Sequence, residues 1–264
     1  MSELVGKIFI TNDYGKFKKL KGNRTLKKNK SLENSIARSG ILVPIEVNEQ
    51  FEILDGQNRF EIAKKMKKPV PYRIIDGFGI EEVIDLNSTT KSWTIMDYVH
   101  KYYLDEKAEY ILLKNLTEKY IKIPISSLAS AAEGNLNLAT KTTENIKKGN
   151  FSFYNYEVFC SFLDNYYLFL SKTRIKGGQY SFFSFFNLYT TEVFELERLI
   201  KGVANKNYDI NGITNVNVVT ELLLIAYNHG LTEDSKYAIA YYINKQDKPV
   251  IKTRRNTILL NMRG

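Results

Sequence analysis

The sequence predicts an α+β protein, with short strands and helices in its N-terminal third and a mostly α-helical region after them. Between residues 6 and 75, short apolar runs with β-type alternation are separated by glycine, proline and polar turns. From residue 97 onward, apolar and tyrosine residues recur at a spacing of three and four, the period of a buried helix face. The 264 residues suffice for one large domain or two ordinary ones, each with a core.

Charge and residue counts restrict the function. The chain has 38 Lys and Arg against 29 Asp and Glu, a net charge of +9 at pH 7, which favours a polyanionic partner such as nucleic acid. The alternative is that the lysines only keep the protein in solution. Cys160 is the one cysteine, and His100 and His229 are far apart in sequence, so an internal disulfide and a Cys- or His-rich metal site are excluded. No apolar stretch reaches the ~20 residues of a membrane span, so we expect a cytoplasmic protein.

Local signals predict the N-terminal elements. Ser31 suits the N-cap of a first helix and Gly40 its end. Ile45 and Val47 fall on one face of a strand, and Glu46 falls on the other. In order, we predict a strand over 6–14, a helix over 31–40, a hairpin of strands over 41–47 and 51–54, a helix over 57–67 and a strand over 72–75.

The junction between the second hairpin strand and the next helix reads Asp-Gly-Gln-Asn-Arg over residues 55–59. The free N–H groups at the start of a helix and the positive end of its dipole together favour an anion. Arg59 adds a planar guanidinium that suits phosphate. The spacing alone fits both a phosphate site and an ordinary strand-to-helix turn.

A dense basic segment precedes the first helix. It predicts either a solvated loop or a contact with the DNA or RNA backbone, and Phe17, Leu20 and Leu26 are expected to anchor it to the core. Its cations, with no acidic residue between them, are Lys16, Lys18, Lys19, Lys21, Arg24, Lys27, Lys28 and Lys30.

The middle of the chain predicts two short helices, over 125–134 and 136–148, joined through glycine. The second carries Lys141, Lys147 and Lys148. Such a pair is typical of a DNA-binding helix-turn-helix, but it is also common in any helical domain.

The C-terminal half is rich in phenylalanine and tyrosine, most densely over 151–169 and 180–186. Aromatic rings next to basic residues can stack on bases. Here the spacing is helical and few neighbours are basic, so we predict core packing. Residues 191–242 are predicted to form three helices, and a basic tail over 252–255 follows.

Several ordered motifs resemble the ParB/sulfiredoxin superfamily. They are Asn23-Arg24, the helix over 31–40, the strand Leu-Val-Pro-Ile-Glu-Val over 42–47, and residues 55–59. More narrowly, the last motif resembles the Asp-Gly-Gln-His-Arg pentapeptide of ParB-like domains from phages and mobile elements, with Asn58 in place of the histidine. The resemblance covers about residues 5–98 and implies a small mixed sheet with helices.

Members of this superfamily bind nucleotide phosphates at this turn. The resemblance therefore implies a nucleoside triphosphate, CTP or ATP, with Mg²⁺, and leaves an NTPase activity of CTPase type open. Asn87 falls on the family's Asn-x-x-Arg motif, in which Thr90 replaces the arginine and Lys91 is adjacent. The implied cofactor-binding residues are Asn23, Arg24, Gly56, Gln57, Asn58, Arg59, Asn87 and Lys91.

The middle residues of the turn separate related activities. Sulfiredoxins use a cysteine where this chain has Gln57, so that chemistry is excluded. Some relatives are called nucleases, and a metal-dependent DNA nuclease or nickase is the alternative function, with Glu46 and Asp55 as catalytic carboxylates. Strand alternation is expected to place Glu46 and Glu52 on a different face from Asp55.

The main hypothesis is a DNA-binding ParB-like protein of phage or mobile-element type, in which nucleotide binding gates DNA engagement. Its expected partners are DNA, through the lysines of 18–28 and 141–148, and a second copy of the chain. A third interpretation is a protein-interaction module with a vestigial nucleotide site. The predicted domains are a ParB/sulfiredoxin-like domain over 1–90, a helical region over 91–150 and an aromatic-rich helical domain over 151–264.

Overall fold

The computed structural model describes residues 6–23, 29–80, 82–83, 93–206, 209–232 and 234–261. The chain divides into two compact units, Met1–Lys107 and Ala108–Gly264. The three-domain division expected from the sequence stays a prediction. The α+β class is confirmed, because the first unit contains a mixed sheet and the second is mostly helical.

The first unit is built on a five-stranded sheet. In spatial order its strands are β1 (Ile8–Thr11), β5 (Val70–Ile74), β3 (Ile45–Val47), β4 (Glu52–Asp55) and β2 (Lys18–Lys19). The pairs β1–β5 and β3–β4 are antiparallel, whereas β3–β5 and β2–β4 are parallel. Helix α1 (Lys30–Ser39) precedes β3, α2 (Gln57–Lys65) connects β4 to β5, and α3 (Ile95–Leu104) lies near the end of this unit.

Apolar side chains of the sheet pack with those of α1 and α2 in one core. Ile45 and Val47 of β3 are fully buried, as the predicted alternation requires, while Glu46 between them is half-buried. The buried members of this core are Phe17, Ile36, Ile41, Ile45, Val47, Ile53, Phe60, Ala63, Val70 and Tyr72. Burying such side chains stabilises a fold by about 1.5–3 kcal/mol each.

Several predicted boundaries are wrong by a few residues. Asn29, and not Ser31, caps α1: its side chain accepts a hydrogen bond of 3.0 Å from the N–H of Leu32. Strand β3 begins only at Ile45, after Pro44, which has no N–H to donate. Helix α2 ends at Lys65, and Lys67 beyond it adopts a positive φ of 53° that a helix does not tolerate.

The second unit begins with four helices: α4 (Ala108–Lys119), α5 (Ile125–Ala132), α6 (Thr140–Lys148) and α7 (Tyr156–Lys172). Helix α8 (Gln179–Tyr189) packs on them and contributes four buried phenylalanines. The predicted aromatic core is confirmed. Its fully buried rings are those of Phe159, Phe162, Tyr166, Phe169, Phe182, Phe183, Phe185 and Phe186.

The prediction of three helices over 191–242 is wrong. Two helices are present in the described part of this segment, α9 (Leu196–Lys206) and α10 (Val216–Asn228), and a hairpin of β6 (Tyr241–Ile243) and β7 (Pro249–Ile251) follows them. The Asn244 side chain closes the hairpin turn by accepting from the N–H groups of Gln246 and Lys248. The strands are only three residues long, too short for their alternation to be distinguished from a helical pattern.

Candidate functional site

The candidate site lies at the turn from β4 into α2. Gly56 is the N-cap residue of α2, with a φ of +91°, in the left-handed region that glycine adopts readily. No side chain of the described residues caps this helix end, and the carbonyl of Gly56 accepts the first helical bond, 2.9 Å from the N–H of Phe60. The first N–H groups of a helix have no partner within it. The turn therefore presents uncapped donors at the positive end of the helix dipole.

The side chain of Arg59 folds back over this turn. Its Nη2 donates to Asp55 Oδ2 at 2.6 Å and to the carbonyl of Pro44 at 3.4 Å. A Cβ on Gly56 would lie only 2.8 Å from Arg59 Nη2 and 2.7 Å from Ile45 Cγ2. The guanidinium of Arg59 can therefore occupy this position only because residue 56 has no side chain.

Two donors at this turn remain unsatisfied. Gln57 Nε2 and Arg59 Nε are both buried, and neither has a hydrogen-bond partner in the described part of the chain. A buried donor without an acceptor costs about 1–3 kcal/mol. Phosphate oxygens accept hydrogen bonds and carry negative charge. A bound phosphate would therefore give both donors an acceptor and would be attracted to the guanidinium. Asn58, the third residue of the motif, is half-buried in the same helical turn.

Asn23 lies beside the turn, as expected. Its side chain is buried, and Nδ2 donates to the carbonyls of Ile53 and Leu54 at 3.3 and 3.5 Å. These bonds hold Asn23, the residue before Arg24 in the sequence, against the end of β4. Arg24, Asn87 and Lys91 lie outside the described residues, so their predicted roles stay predictions.

The two candidate catalytic carboxylates are closer together than expected. Glu46 is the direct partner of Asp55 across β3 and β4, because an irregularity after Glu46 shifts the register of this pair. The expectation that alternation separates them is therefore wrong. Each carboxylate is bound to an arginine, Glu46 to Arg73 and Asp55 to Arg59. Among the described residues no group of three or more His, Cys, Asp or Glu is placed to hold a metal ion.

The candidate DNA-contacting lysines fall on both units. Lys18 and Lys19 are exposed on the edge strand β2, and Lys21 is exposed just after it, while Lys27 and Lys28 lie outside the described residues. Lys16 differs from them: its Nζ donates to the hydroxyl of Tyr72 at 2.8 Å and lies 4.1 Å from the ring centre of Phe51. It packs on the sheet and is not a free surface cation.

In the second unit, Lys141, Lys147 and Lys148 are all exposed on α6. This helix is tied to α5 by Glu133, which accepts from Thr142 Oγ1 at 2.5 Å and from Asn145 Nδ2 at 2.8 Å. The predicted pair of short helices is thus present, with its lysines on the solvent side.

Comparisons with known proteins find similar solved structures but no matching family model. No family model matches the chain, and no curated protein matches it. Two solved structures, both of a pNOB8-like ParB N-domain, are similar to it. One is 14% identical, covers 86% of this chain and 91% of its own, and has a TM-score of 0.30. The other is 16% identical, covers 85% and 76%, and has a TM-score of 0.28.

Within the described residues, no helix combines the length and apolar character needed to cross a membrane.

Proposed function

We propose that this protein is a cytoplasmic, ParB-like DNA-binding protein of phage or mobile-element type whose turn at residues 55–59 binds nucleotide phosphates. The observation that carries the proposal is a pair of buried donors, Gln57 Nε2 and Arg59 Nε, which have no acceptor among the described residues and lie at the start of α2. A nucleoside triphosphate, CTP or ATP, supplies acceptors and negative charge at one point. Arg24, Asn87 and Lys91 would complete the site.

Magnesium would enter with the nucleotide. The carboxylates nearest the turn, Asp55 and Glu46, are each bound to an arginine, so they are poor candidates for an independent metal site. Mg²⁺ in nucleotide sites is commonly held by substrate phosphates and water, with few protein ligands. When bound, the ion would neutralise part of the triphosphate charge, while Arg59 would orient the phosphates.

Nucleotide binding would gate the engagement of DNA. Closing Arg24 and Asn87 over a bound nucleotide would reposition the hinge over 87–91 and bias the chain between two states, and DNA would bind one of them better. The DNA contacts proposed are the exposed lysines of the first unit and those of α6, and the active species would be a homodimer. The exposed positions of Lys18, Lys19, Lys141 and Lys147 support backbone contact.

Calorimetric titration tests the nucleotide site. CTP, ATP and GTP with Mg²⁺ would be titrated into the wild type and into Arg59→Ala. Removing a charge-assisted hydrogen bond costs about 1.5–3 kcal/mol, so the Kd is expected to rise roughly 10- to 150-fold. Arg73→Ala is the matched control, since Arg73 belongs to the same sheet and pairs with Glu46. Absence of saturable binding by the wild type would contradict the proposal.

DNA binding is tested separately by its salt dependence. The logarithm of the affinity should fall linearly with the logarithm of salt concentration, by about 0.9 for each phosphate contacted. A flat response would contradict DNA binding and would favour the protein-interaction module.

A DNA nuclease or nickase is the second candidate function, favoured by the position of Glu46 opposite Asp55. Its test is the nicking of supercoiled plasmid with Mg²⁺ or Mn²⁺ by wild type and Asp55→Asn. The nuclease hypothesis requires that the substitution abolish nicking. Equal nicking by both proteins would assign the activity to a contaminant.

A further inference from the structure

The hairpin of β6 and β7 is a preformed element at the end of the second unit. Tyr242 pairs with Val250 in its centre, and the turn between the strands is fixed by Asn244, whose Oδ1 accepts from the N–H groups of Gln246 at 2.9 Å and Lys248 at 3.0 Å. Asp247 adopts a φ of +53° in this turn, a conformation that aspartate tolerates better than most residues. The hairpin geometry is therefore built into the free protein.

Both ends of the hairpin are anchored to helices of the same unit. The Asn228 amide at the end of α10 forms two 2.9 Å hydrogen bonds with the backbone of Ile239, as donor and as acceptor. After β7, Arg255 Nη1 donates to the carbonyl of Asn187 at 2.5 Å and to Thr190 Oγ1 at 2.6 Å. Burial lowers the pKa of the Arg255 guanidinium, which marks it as an internal anchor. The exposed face of the hairpin is thus held in a fixed place on the helices.

The segment that contains the hairpin is strongly basic. Residues 236–255 contain six cationic side chains and one carboxylate, Asp247. Apart from the anchor, the cations are all exposed: Lys236, Lys245, Lys248, Lys252 and Arg254. Because side chains alternate along a strand, Lys248 and Lys252 fall on the same face as Tyr242. The position of Lys252 Nζ, 5.1 Å from the ring centre of Tyr242, agrees with this.

Two exposed tyrosines lie in this basic segment. Tyr237 is 47% exposed and Tyr242 46%, and Lys236 Nζ lies 5.0 Å from the ring centre of Tyr237. The acidic neighbour, Glu192, binds Arg254 at 3.3 Å, but both side chains are largely exposed. An exposed ion pair of that kind contributes little to stability, so Arg254 can exchange the Glu192 carboxylate for a phosphate.

We propose that the β6–β7 hairpin is a second DNA-contacting surface, which binds the phosphate backbone of duplex DNA through Lys245, Lys248 and Lys252. Lysine and tyrosine side chains are common phosphate contacts, and a two-stranded β-ribbon fits the major groove. A dense cluster of cations that outnumber the neighbouring carboxylates, Asp247 and Glu192, complements a polyanion. This inference rests on the proposed DNA binding and adds to it a surface that neither the turn nor α6 contains.

The test compares three triple variants by the salt dependence of binding to short duplex DNA. Lys245→Ala, Lys248→Ala and Lys252→Ala together should lower the log–log slope by about 2–3, because each lost phosphate contact removes about 0.9. The control removes the same charge from exposed lysines outside the hairpin, with Lys172→Ala, Lys176→Ala and Lys201→Ala, and should leave the slope unchanged. Replacing the three hairpin lysines by arginine should preserve the slope, since the charges remain.

The outcomes separate this inference from the proposed function. If the wild type shows no salt-dependent DNA binding, both fail. If the wild type binds and the hairpin variant keeps its slope, the hairpin inference alone is wrong. A change of slope seen with single-stranded DNA only would overturn the assignment to duplex DNA. An equal decrease of slope in the hairpin variant and the control variant would show that only the net charge of the protein matters, and the hairpin inference would be wrong.

Discussion

Replacing Gly56 by alanine tests the geometry on which the candidate site depends. The residue has a φ of +91°, and a Cβ would lie 2.7 Å from Ile45 Cγ2 and 2.8 Å from Arg59 Nη2. The left-handed conformation costs an alanine about 1–2 kcal/mol, and overpacking typically adds 1–3 kcal/mol. We therefore expect the free energy of unfolding of the first unit to fall by roughly 2–5 kcal/mol.

The matched control is Gly77→Ala. Gly77 has a φ of +75° in the same unit, but a Cβ there would meet no atom of the described residues within 4 Å, so only the conformational cost of about 1–2 kcal/mol applies. Urea unfolding followed by tryptophan fluorescence measures both variants, because Trp93 is the chain's one tryptophan and is buried in this unit. Equal losses for Gly56→Ala and Gly77→Ala would refute the proposed contact of Gly56 with Ile45 and Arg59.

Two further predictions concern the second unit. Glu133→Ala leaves two donors of α6 without their acceptor and should destabilise this unit by about 1–3 kcal/mol. Glu144 is exposed on α6, so Glu144→Ala should change the stability of the unit by less than about 0.5 kcal/mol. Thermal unfolding followed by circular dichroism measures both variants. The hydrogen bond from Tyr120 lowers the pKa of Asp164, so the stabilising contribution of this carboxylate is present above about pH 4 and lost as the pH falls through its folded-state pKa. The unfolding free energies of wild type and Asp164→Asn should therefore differ at neutral pH and converge in acid.

The sequence predicts which residues form the core better than it predicts where each helix and strand begins and ends. Ile45 and Val47 alternate with Glu46 as a half-buried strand requires, and the structure buries both of them. The phenylalanines of α7 and α8 are spaced for packing and are packed. These patterns come from burial, which acts on every residue of an element. Caps and strand ends depend on single side chains, so Asn29 was missed as the cap of α1.

The pairing of Glu46 with Asp55 shows a different limit. Alternation assigns each residue a face within its own strand, but the irregularity after Glu46 sets how two strands are aligned. No local signal in the sequence gives that alignment. The same holds for Arg73, which is 27 residues from Glu46 and is brought to it by the parallel pairing of β3 with β5.

Glycine and arginine at this spacing are weaker signs of a ligand than the sequence suggests. The guanidinium of Arg59 lies over Gly56 and is held by Asp55, so packing within the free protein already explains this pair. Gln57 Nε2 and Arg59 Nε both lack a partner in the described chain, but Arg59 is held by its Nη2 bonds, whereas no hydrogen bond from a described residue holds the Gln57 side chain. The side chain that best distinguishes a phosphate site from an ordinary turn is therefore the one in the middle of the motif.

Gln57→Leu should accordingly separate stability from binding. Removing a buried, unsatisfied donor relieves a cost of about 1–3 kcal/mol, so the free protein should be as stable as the wild type or more stable. Nucleotide binding should weaken roughly 5- to 10-fold or more, because a net hydrogen bond of about 1 kcal/mol or above is lost. Urea unfolding and calorimetry on the same preparations measure the two effects. A variant that is less stable and binds nucleotide unchanged would show that Gln57 supports the turn and does not contact the phosphates.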